Sequence, residues 1–242
     1  MRNLTKKQIL YDFDLENDDL VKNKNIFLNM KYKKESLTYN LYPTSIIGCG
    51  KNILVKSDNK EILEKLKNEF GDFPSEWFFE YENIYKIDKI IRKYGQKIVN
   101  YGPVFEPNKN FKKIESPFKF EKIDLKNAEK YRKYKFVFDF DDPYFNSKFA
   151  YAYYDGKKLI GLGSFSKNSK YFWEFSCQKF SKDPKYKKIM AYMLNNMTYE
   201  ILKNNKEILP ITASQFSHID SMNLSINAGY RLAFTFMSID RK

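Results

Sequence analysis

The amino-acid sequence predicts an α/β (α+β) protein with a mixed, largely antiparallel sheet, preceded by a smaller α/β lobe. Three observations support this fold class. Segments with helical periodicity alternate with segments rich in β-branched and aromatic residues. The dipeptide Asp155-Gly156, which tolerates positive φ, separates two such apolar segments as a hairpin turn. The polar stretch Glu106–Pro117 marks the best boundary, so we divide the chain into residues 1–112 and 113–242.

The first lobe is predicted to contain two strands and two helices. Ser45–Lys56 is expected to be a strand and Asn59–Phe70 a helix. Residues 81–94 form the second predicted helix, which Gly95 is well placed to end. Its apolar stripe consists of Ile84, Ile87, Ile91 and Tyr94. Gln96–Tyr101 then has the pattern of a strand.

The second lobe begins with a predicted strand, Phe118–Ile123, and a predicted helix, Lys126–Lys135. The hairpin follows, and Asn168-Ser169 turns the chain into a third strand, Tyr171–Phe180. The two hairpin strands are Phe149–Tyr154 and Lys158–Phe165. Three antiparallel strands are therefore expected in succession.

A long helix is predicted from Asp183, a suitable N-cap, to about Asn204, with Pro184 in its first turn. The residues on its apolar face are Tyr186, Ile189, Met190, Met193, Met197 and Ile201. Ile208–Ser214 is the next predicted strand. Ser217 and Asp220 have the spacing of a capping box for a helix that ends at Gly229, and Arg231–Ile239 closes the chain as a strand.

This order of elements resembles that of the GNAT superfamily of N-acyltransferases, in particular two-lobed proteins related to zwittermicin-type resistance acetyltransferases. The resemblance is firmest over 149–239 and sharpest in Ser214–Ser221 and Asn227–Tyr230, which resemble the family's S-x-x-S-N-x-x-S run and A-G-F/Y. Trp77–Glu80 and Lys93–Gly95 are similar to its W-x-F-E and Y-G marks. The resemblance implies transfer of an acetyl group from acetyl-CoA to a primary amine of a small molecule.

In that family a Q/R-x-x-G-x-G/A loop binds the coenzyme pyrophosphate with backbone N–H groups. Here Lys188 and Met190 stand where the pattern has glycines. Lysines are concentrated at this turn, which favours an anion. They are Lys179, Lys182, Lys185, Lys187 and Lys188. The resemblance implies coenzyme contacts at Gln178, Lys179, Phe180, Lys185, Tyr186, Lys187, Lys188, Ile189, Met190, Ser214, His218 and Ser221.

The resemblance also implies a catalytic carboxylate on the third strand, because the family's thioester lies where this strand separates from the next. Glu174 is the candidate base, and backbone N–H groups near Gln178–Phe180 are expected to polarise the carbonyl. The family's usual acid, a Tyr four residues before the helix-ending glycine, is replaced by Ser225, and Tyr230 is an alternative donor. The implied acceptor pocket consists of Asp139, Asp141, Asp142 and Tyr144.

The amino-acid composition argues against several classes of function. The formal net charge is +13, but 38 of the 43 basic residues are Lys, a background bias that weakens any argument for nucleic acid. Two cysteines and one histidine argue against a disulfide framework and against a transition-metal site. The N-terminus has no apolar signal core, and no stretch approaches a membrane span. We expect a cytoplasmic protein that needs no metal and binds neither membrane nor nucleic acid, as a monomer or a homodimer.

The alternatives belong to other classes. A GNAT-fold protein that has lost catalysis would bind acyl-CoA or another ligand without turnover. Asp139-x-Asp141 also resembles the first motif of haloacid-dehalogenase-like phosphotransferases, but Asp142-Pro143 interrupts that motif. A nucleic-acid-binding module has no recognisable motif in this sequence.

Overall fold

The computed structural model describes residues 1–17, 19–21, 23–138 and 146–241. Within them, ten strands form one mixed sheet with helices, which confirms the predicted fold class. The helices are α1 (Asn3–Phe13), α2 (Lys60–Phe70), α3 (Tyr81–Arg92), α4 (Ile189–Asn204) and α5 (Ile219–Asn227). The strands are β1 (Ile26–Asn29), β2 (Thr44–Cys49), β3 (Asn52–Ser57), β4 (Gln96–Pro107), β5 (Glu121–Lys122), β6 (Ser147–Asp155), β7 (Lys158–Lys167), β8 (Phe172–Lys179), β9 (Leu209–Ala213) and β10 (Tyr230–Arg241). Their order in the sheet is β1-β3-β2-β10-β4-β9-β8-β7-β6-β5.

The chain divides into two compact units. The first comprises Asn3–Val104 with Met1 and the residues from Ala233 on, and the second comprises Phe105–Leu232 with Arg2. Strands β4 and β10 each contain residues of both units. The sequence-based division at residue 112 stays a prediction.

In the first unit, the predicted single strand 45–56 is wrong. The segment forms an antiparallel hairpin of β2 and β3 instead. Gly50 has φ of 61° at the turn, a conformation that glycine adopts without strain. Both strands are almost wholly buried. The turn does have a signal in the sequence, because Gly50-Lys51-Asn52 separates the apolar pairs Ile46-Ile47 and Ile53-Leu54, and the single-strand prediction overlooked it.

The two predicted helices of this unit are confirmed as α2 and α3. The Asn59 side chain caps α2 by accepting from the N–H groups of Glu61 and Ile62 at 2.9 and 3.1 Å. Helix α3 ends at Arg92, two residues before the predicted end, and Gly95 beyond it has φ of 70°. Ile87 and Ile91 of its stripe are fully buried. These helices and β3 share one apolar core.

Helix α1 and strand β1 were not predicted, because the N-terminal sequence has little amphipathic pattern. A polar network secures α1 instead. Asp12 is fully buried and accepts hydrogen bonds from the side chains of Gln8 and Asn40 at 2.6 and 2.7 Å and from the Leu37 N–H at 3.2 Å. Hydrogen bonds of this kind leave no hydrophobic signal in the sequence.

In the second unit, the predicted hairpin is confirmed as β6 and β7, joined at Gly156 with φ of 59°. Strand β8 pairs antiparallel to β7 from Trp173 to Lys179, as predicted. The expected strand 118–123 is reduced to the two residues of β5, and the expected helix 126–135 is a 3-10 helix over Leu125–Tyr131. Aromatic residues in this part of the chain serve core packing rather than regular structure.

The predicted long helix is present, with a modified start. Asp183 accepts from the Lys185 N–H at 3.0 Å and caps a 3-10 turn, Pro184–Tyr186, and α4 begins afterwards at Ile189. The whole predicted stripe is buried. The predicted capping box at Ser217 is wrong, because the N-cap of α5 is His218 and makes no side-chain cap. Gly229 follows the helix with φ of 89°.

Candidate functional site

Strands β8 and β9 are parallel neighbours that pair over only three residues. The register runs from Phe172 opposite Leu209 to Glu174 opposite Ile211. Strand β8 continues to Lys179 on its other side, where it stays paired with β7. A gap therefore opens between β8 and β9 beyond Glu174. We call it the β8–β9 gap.

Backbone groups of β8 face this gap. Hydrogen-bonded pairs alternate along an antiparallel ladder, and the Phe180 N–H donates to Ile160 O at 2.8 Å. Gln178, two residues earlier, occupies the equivalent place in the ladder with β7. The N–H groups of Cys177 and Lys179 therefore point away from β7, into the gap. Within the expected range Gln178–Phe180, the Lys179 N–H thus faces the gap, whereas those of Gln178 and Phe180 are directed toward β7.

Two helices begin at the edge where the gap opens, because the carboxyl ends of parallel strands meet at one edge. Helix α4 follows β8, and α5 follows β9. The N-cap of α4 is Lys188, which makes no side-chain cap, and the first turn contains no acidic residue. The leading N–H groups of α4 are thus left without a side-chain cap beside the exposed Lys187 and Lys188. Such a helix start favours an anion.

The residues that replace the expected glycines take different positions. Lys188 is exposed, whereas Met190 is buried with its sulfur against Gly161 of β7. A Cβ at position 161 would lie 3.0 Å from that sulfur, so Gly161 makes the space that Met190 fills. Ile189 is buried as well. At positions 189 and 190 only backbone groups remain for a coenzyme.

Lys185 and Tyr186 are tied to the hairpin turn. Both side chains donate to Asp155 Oδ2, the lysine at 3.0 Å. These hydrogen bonds, from Tyr186 first and Lys185 second, lower the pKa of Asp155. The positive charge of the lysine cluster is therefore partly balanced by Asp155 as well as by Asp183. The sequence did not show the contact with Asp155, because thirty positions separate it from Lys185.

Glu174 lies where the β8–β9 pairing ends. Its side chain is half-buried and accepts a hydrogen bond from the Asn168 amide. It shares a sheet face with Ser166, its partner on β7, whereas Phe175 of the next position packs with the α4 side of the sheet. The 3-10 helix and Val137 cover the face to which Glu174 belongs. Glu174 and α4 thus lie on opposite faces, and the gap between β8 and β9 connects those faces.

Ser225, at the position of the family's acid, and the alternative donor Tyr230 are both engaged in the core. Ser225 is buried, with its hydroxyl 2.7 Å from the Thr212 hydroxyl. Tyr230 is buried with its hydroxyl 2.6 Å from that of Thr198, and burial raises the pKa of Tyr230. Neither group is suited to protonate a leaving thiolate.

Three further predicted contacts lie between the end of β9 and the first turn of α5. Ser214 is half-buried and His218 is exposed, and the Ser214 hydroxyl donates to His218 O at 3.4 Å. Ser221 is in the first turn of α5 and partly exposed. All three lie at the edge of the gap because β9 ends there. Their role as coenzyme contacts stays a prediction.

The predicted acceptor residues lie outside the described part of the chain. They are Asp139, Asp141, Asp142 and Tyr144. Just before them, Val137 is buried and its carbonyl accepts a hydrogen bond from the Ser164 hydroxyl at 3.0 Å.

The Cys177 backbone N–H faces the gap, but the Cys177 thiol is not suited to act as a nucleophile there. The side chain is partly buried, and burial raises the pKa of the thiol to about 12. A thiol with this pKa stays protonated at neutral pH and is a poor nucleophile. The site is therefore unsuited to a covalent intermediate on Cys177.

The structure also bears on metal binding, on membrane insertion and on cavities outside the β8–β9 gap. In the described ranges, no three His, Cys, Asp or Glu side chains are grouped so that they could hold a metal. Among the helices placed by the structure, none is both long and apolar enough to cross a membrane. Cavities of about 540 and 530 Å³ occur elsewhere, one in each unit, and no predicted site residue lines them.

The sequence matches no protein-family model and no curated protein. Among solved structures it is similar to a GCN5-related N-acetyltransferase-like protein from Streptococcus suis 89/1591, with a TM-score of 0.46 and 12% identity over 79% of this chain and 72% of that one. For GCN5-related N-acetyltransferases from Kribbella flavida and Sphaerobacter thermophilus, the TM-scores are 0.44 and 0.45, and the identities 13% and 11%. These two likenesses cover 63% and 64% of this chain but only 62% and 55% of the others, less than two thirds of their length.

Proposed function

We propose that the protein is an acyl-CoA-dependent N-acyltransferase that transfers an acetyl group from acetyl-CoA to the primary amine of a small molecule. One observation carries the proposal. Strand β8 loses its pairing with β9 after Glu174, so that the N–H groups of Cys177 and Lys179 face a gap between parallel strands. The resemblance of 149–239 to the zwittermicin-resistance-like GNAT proteins assigns a thioester to such a gap.

The coenzyme phosphates would bind at the start of α4. Its leading N–H groups have no side-chain cap, and Lys187 and Lys188 add two exposed positive charges. The substitution of Met for the second glycine leaves this surface open, because the Met190 side chain is directed to Gly161. Ser214, His218 and Ser221 would contact the coenzyme from the other side of the gap.

The reaction proposed is direct attack. The amine nitrogen forms a bond to the thioester carbon, and the carbonyl oxygen takes up the electron pair as an oxyanion next to the N–H groups of Cys177 and Lys179. Glu174 accepts the proton that the attacking nitrogen loses. The C–S bond then breaks, which yields the amide and the coenzyme thiolate. The thiolate takes a proton from solvent, and Glu174 returns its own proton to solvent.

A buried acid is unnecessary for the last step. A thiol has an ordinary pKa of about 8.5, so its thiolate is a competent leaving group near neutral pH. This agrees with the engagement of Ser225 and Tyr230 in the core. The acceptor amine would be held by the acidic residues of 139–144.

Coenzyme binding is tested by thermal unfolding with and without acetyl-CoA. A ligand at about 100 times its Kd stabilises the folded state by about 2.7 kcal/mol, which is readily seen as a rise in Tm. The double variant Lys187→Ala/Lys188→Ala should weaken binding by about tenfold or more, and the control Lys203→Ala/Lys206→Ala, at exposed positions of the same unit, should not. Equal affinities would remove the α4 start from the site.

Catalysis is tested by release of free thiol from acetyl-CoA in the presence of a panel of primary amines. We expect amine-dependent release that falls by about 100-fold or more in Glu174→Gln at neutral pH, with coenzyme affinity retained. Glu121→Gln, the same change on the exposed strand β5, is the matched control. Unchanged turnover in Glu174→Gln would exclude Glu174 as the base.

A second candidate function follows if release of the thiolate does require the acid that the family's tyrosine supplies. Ser225 stands at that position and its hydroxyl is paired with that of Thr212, so the protein would then be a GNAT-fold protein that binds acyl-CoA without turnover. Stabilisation by acetyl-CoA with no thiol release for any amine would favour this candidate. No stabilisation would reject both.

A further inference from the structure

The turn between β7 and β8 is fixed by backbone hydrogen bonds. The Asn168 N–H donates to Phe172 O at 3.0 Å, and the Ser169 N–H donates to the same oxygen at 3.3 Å. Phe172 is fully buried, and the Lys167 N–H donates to Asn146 O at 2.9 Å. The backbone of Asn168 is therefore held against the Phe172 carbonyl, at the start of β8.

From this turn the side chain of Asn168 reaches forward along β8 and donates from Nδ2 to Glu174 Oε2. An ionised carboxylate only accepts hydrogen bonds, so the NH₂ end of the amide must face it. A glutamate side chain has several rotamers, and the amide restricts them to those that reach Asn168. The carboxylate is thus held beside the last paired position of β8 and β9.

We propose that Asn168 is a positioning residue for this site: its side-chain amide holds the Glu174 carboxylate, ionised and oriented, at the point where the β8–β9 gap opens. This inference rests on the proposed function, in which Glu174 accepts the proton of the amine. Asn168 itself does not touch the reacting atoms. A hydrogen-bond donor favours the charged form of an acid, so loss of the Asn168 amide should move the titration of Glu174 to higher pH.

The test compares two variants of Asn168, which place different groups beside the Glu174 carboxylate, with one control. Asn168→Ala removes the donor, and Asn168→Asp keeps the shape but places a second carboxylate beside Glu174. We expect the titration midpoint of Glu174 to rise by about one pH unit in Asn168→Ala and by more in Asn168→Asp. The exposed Asn110→Asp is the matched control and should leave the midpoint unchanged.

Two readouts separate the inference from the proposed function. The first is a ¹³C NMR titration of the Glu174 carboxyl, assigned by its disappearance in Glu174→Gln, which needs no turnover. The second is the acidic limb of the pH profile of kcat/KM, which should move with the NMR midpoint. A moved midpoint in a protein that releases no thiol would refute the proposed function alone. An unmoved midpoint in both Asn168 variants would overturn the inference, whatever the activity.

Discussion

The buried Lys56 gives the sharpest stability prediction. This residue of β3 is fully buried, and its Nζ has no hydrogen-bond partner among the residues that the structure describes. The ammonium lies 5.7 Å from the centroid of the Phe13 ring. Burial lowers the pKa of Lys56 to about 8, and the attraction of Asp12 only partly opposes this. Lys56→Met is the perturbation, because methionine keeps much of the apolar stem without the charge.

The magnitude follows from proton linkage. The ordinary pKa of this group is 10.5, so between about 8 and 10.5 the unfolded chain binds more protons at Lys56 than the folded protein does. Stability must therefore rise with pH through this window. Each pH unit contributes about 1.4 kcal/mol, so the rise is about 3 kcal/mol for the whole window. Lys56→Met lacks this rise.

The assay is urea denaturation followed by circular dichroism, for the protein and the variant, from about pH 7 to about pH 10. The free energy of unfolding of Lys56→Met, minus that of the unmodified protein, should fall by about 2 to 3 kcal/mol over this range. Lys65→Met, an exposed lysine of α2, should give a constant difference. A constant difference for Lys56→Met would show that the ammonium is solvated and refute the reasoning.

Three other substitutions test the packing of the second unit by urea denaturation. Glu106 is fully buried and accepts from the Arg231 guanidinium at 2.6 Å, so Glu106→Ala should cost about 3 to 5 kcal/mol; under 1 kcal/mol would contradict this. Ser225→Ala should cost about 1 to 3 kcal/mol, and adding Thr212→Val should recover part of that loss; strict additivity would show that their hydroxyls are not coupled. Gly163→Ala should cost about 1 to 3 kcal/mol, since a Cβ there would lie 2.8 Å from an aromatic ring; a stabilised variant would show that the ring yields.

The elements that the sequence predicted well are those with a local signal. The stripe of α4 repeats with helical period and is buried, and Asp155-Gly156 forms the turn between β6 and β7. The elements that it missed depend on distant partners. Helix α1 is secured by the contacts of Asp12 with Asn40. The hairpin of β2 and β3 is different, because Gly50-Lys51-Asn52 is a local turn signal that the single-strand prediction overlooked.

The same distinction holds for the candidate site. The prediction of Tyr171–Phe180 as a strand is enough to put Glu174 and Phe175 on opposite faces, because successive side chains of a strand alternate, and the structure has them so. Which N–H groups face the gap depends on the register with β7, and the space for Met190 depends on Gly161, some thirty residues earlier. The hydrogen bond from Asn168 depends on the geometry of a turn. None of these follows from local pattern, because each joins separate parts of the chain.

The central claim is that the backbone of β8 at Cys177 and Lys179 contacts the thioester. The chain has two cysteines, so selective ¹⁵N-cysteine labelling reports two amides, that of Cys177 in the gap and that of Cys49 in the first unit as an internal control. On titration with acetyl-CoA, we predict a saturable shift of the Cys177 amide that free CoA reproduces only in part, and an unmoved Cys49 amide. An unmoved Cys177 amide at saturating acetyl-CoA would contradict the account.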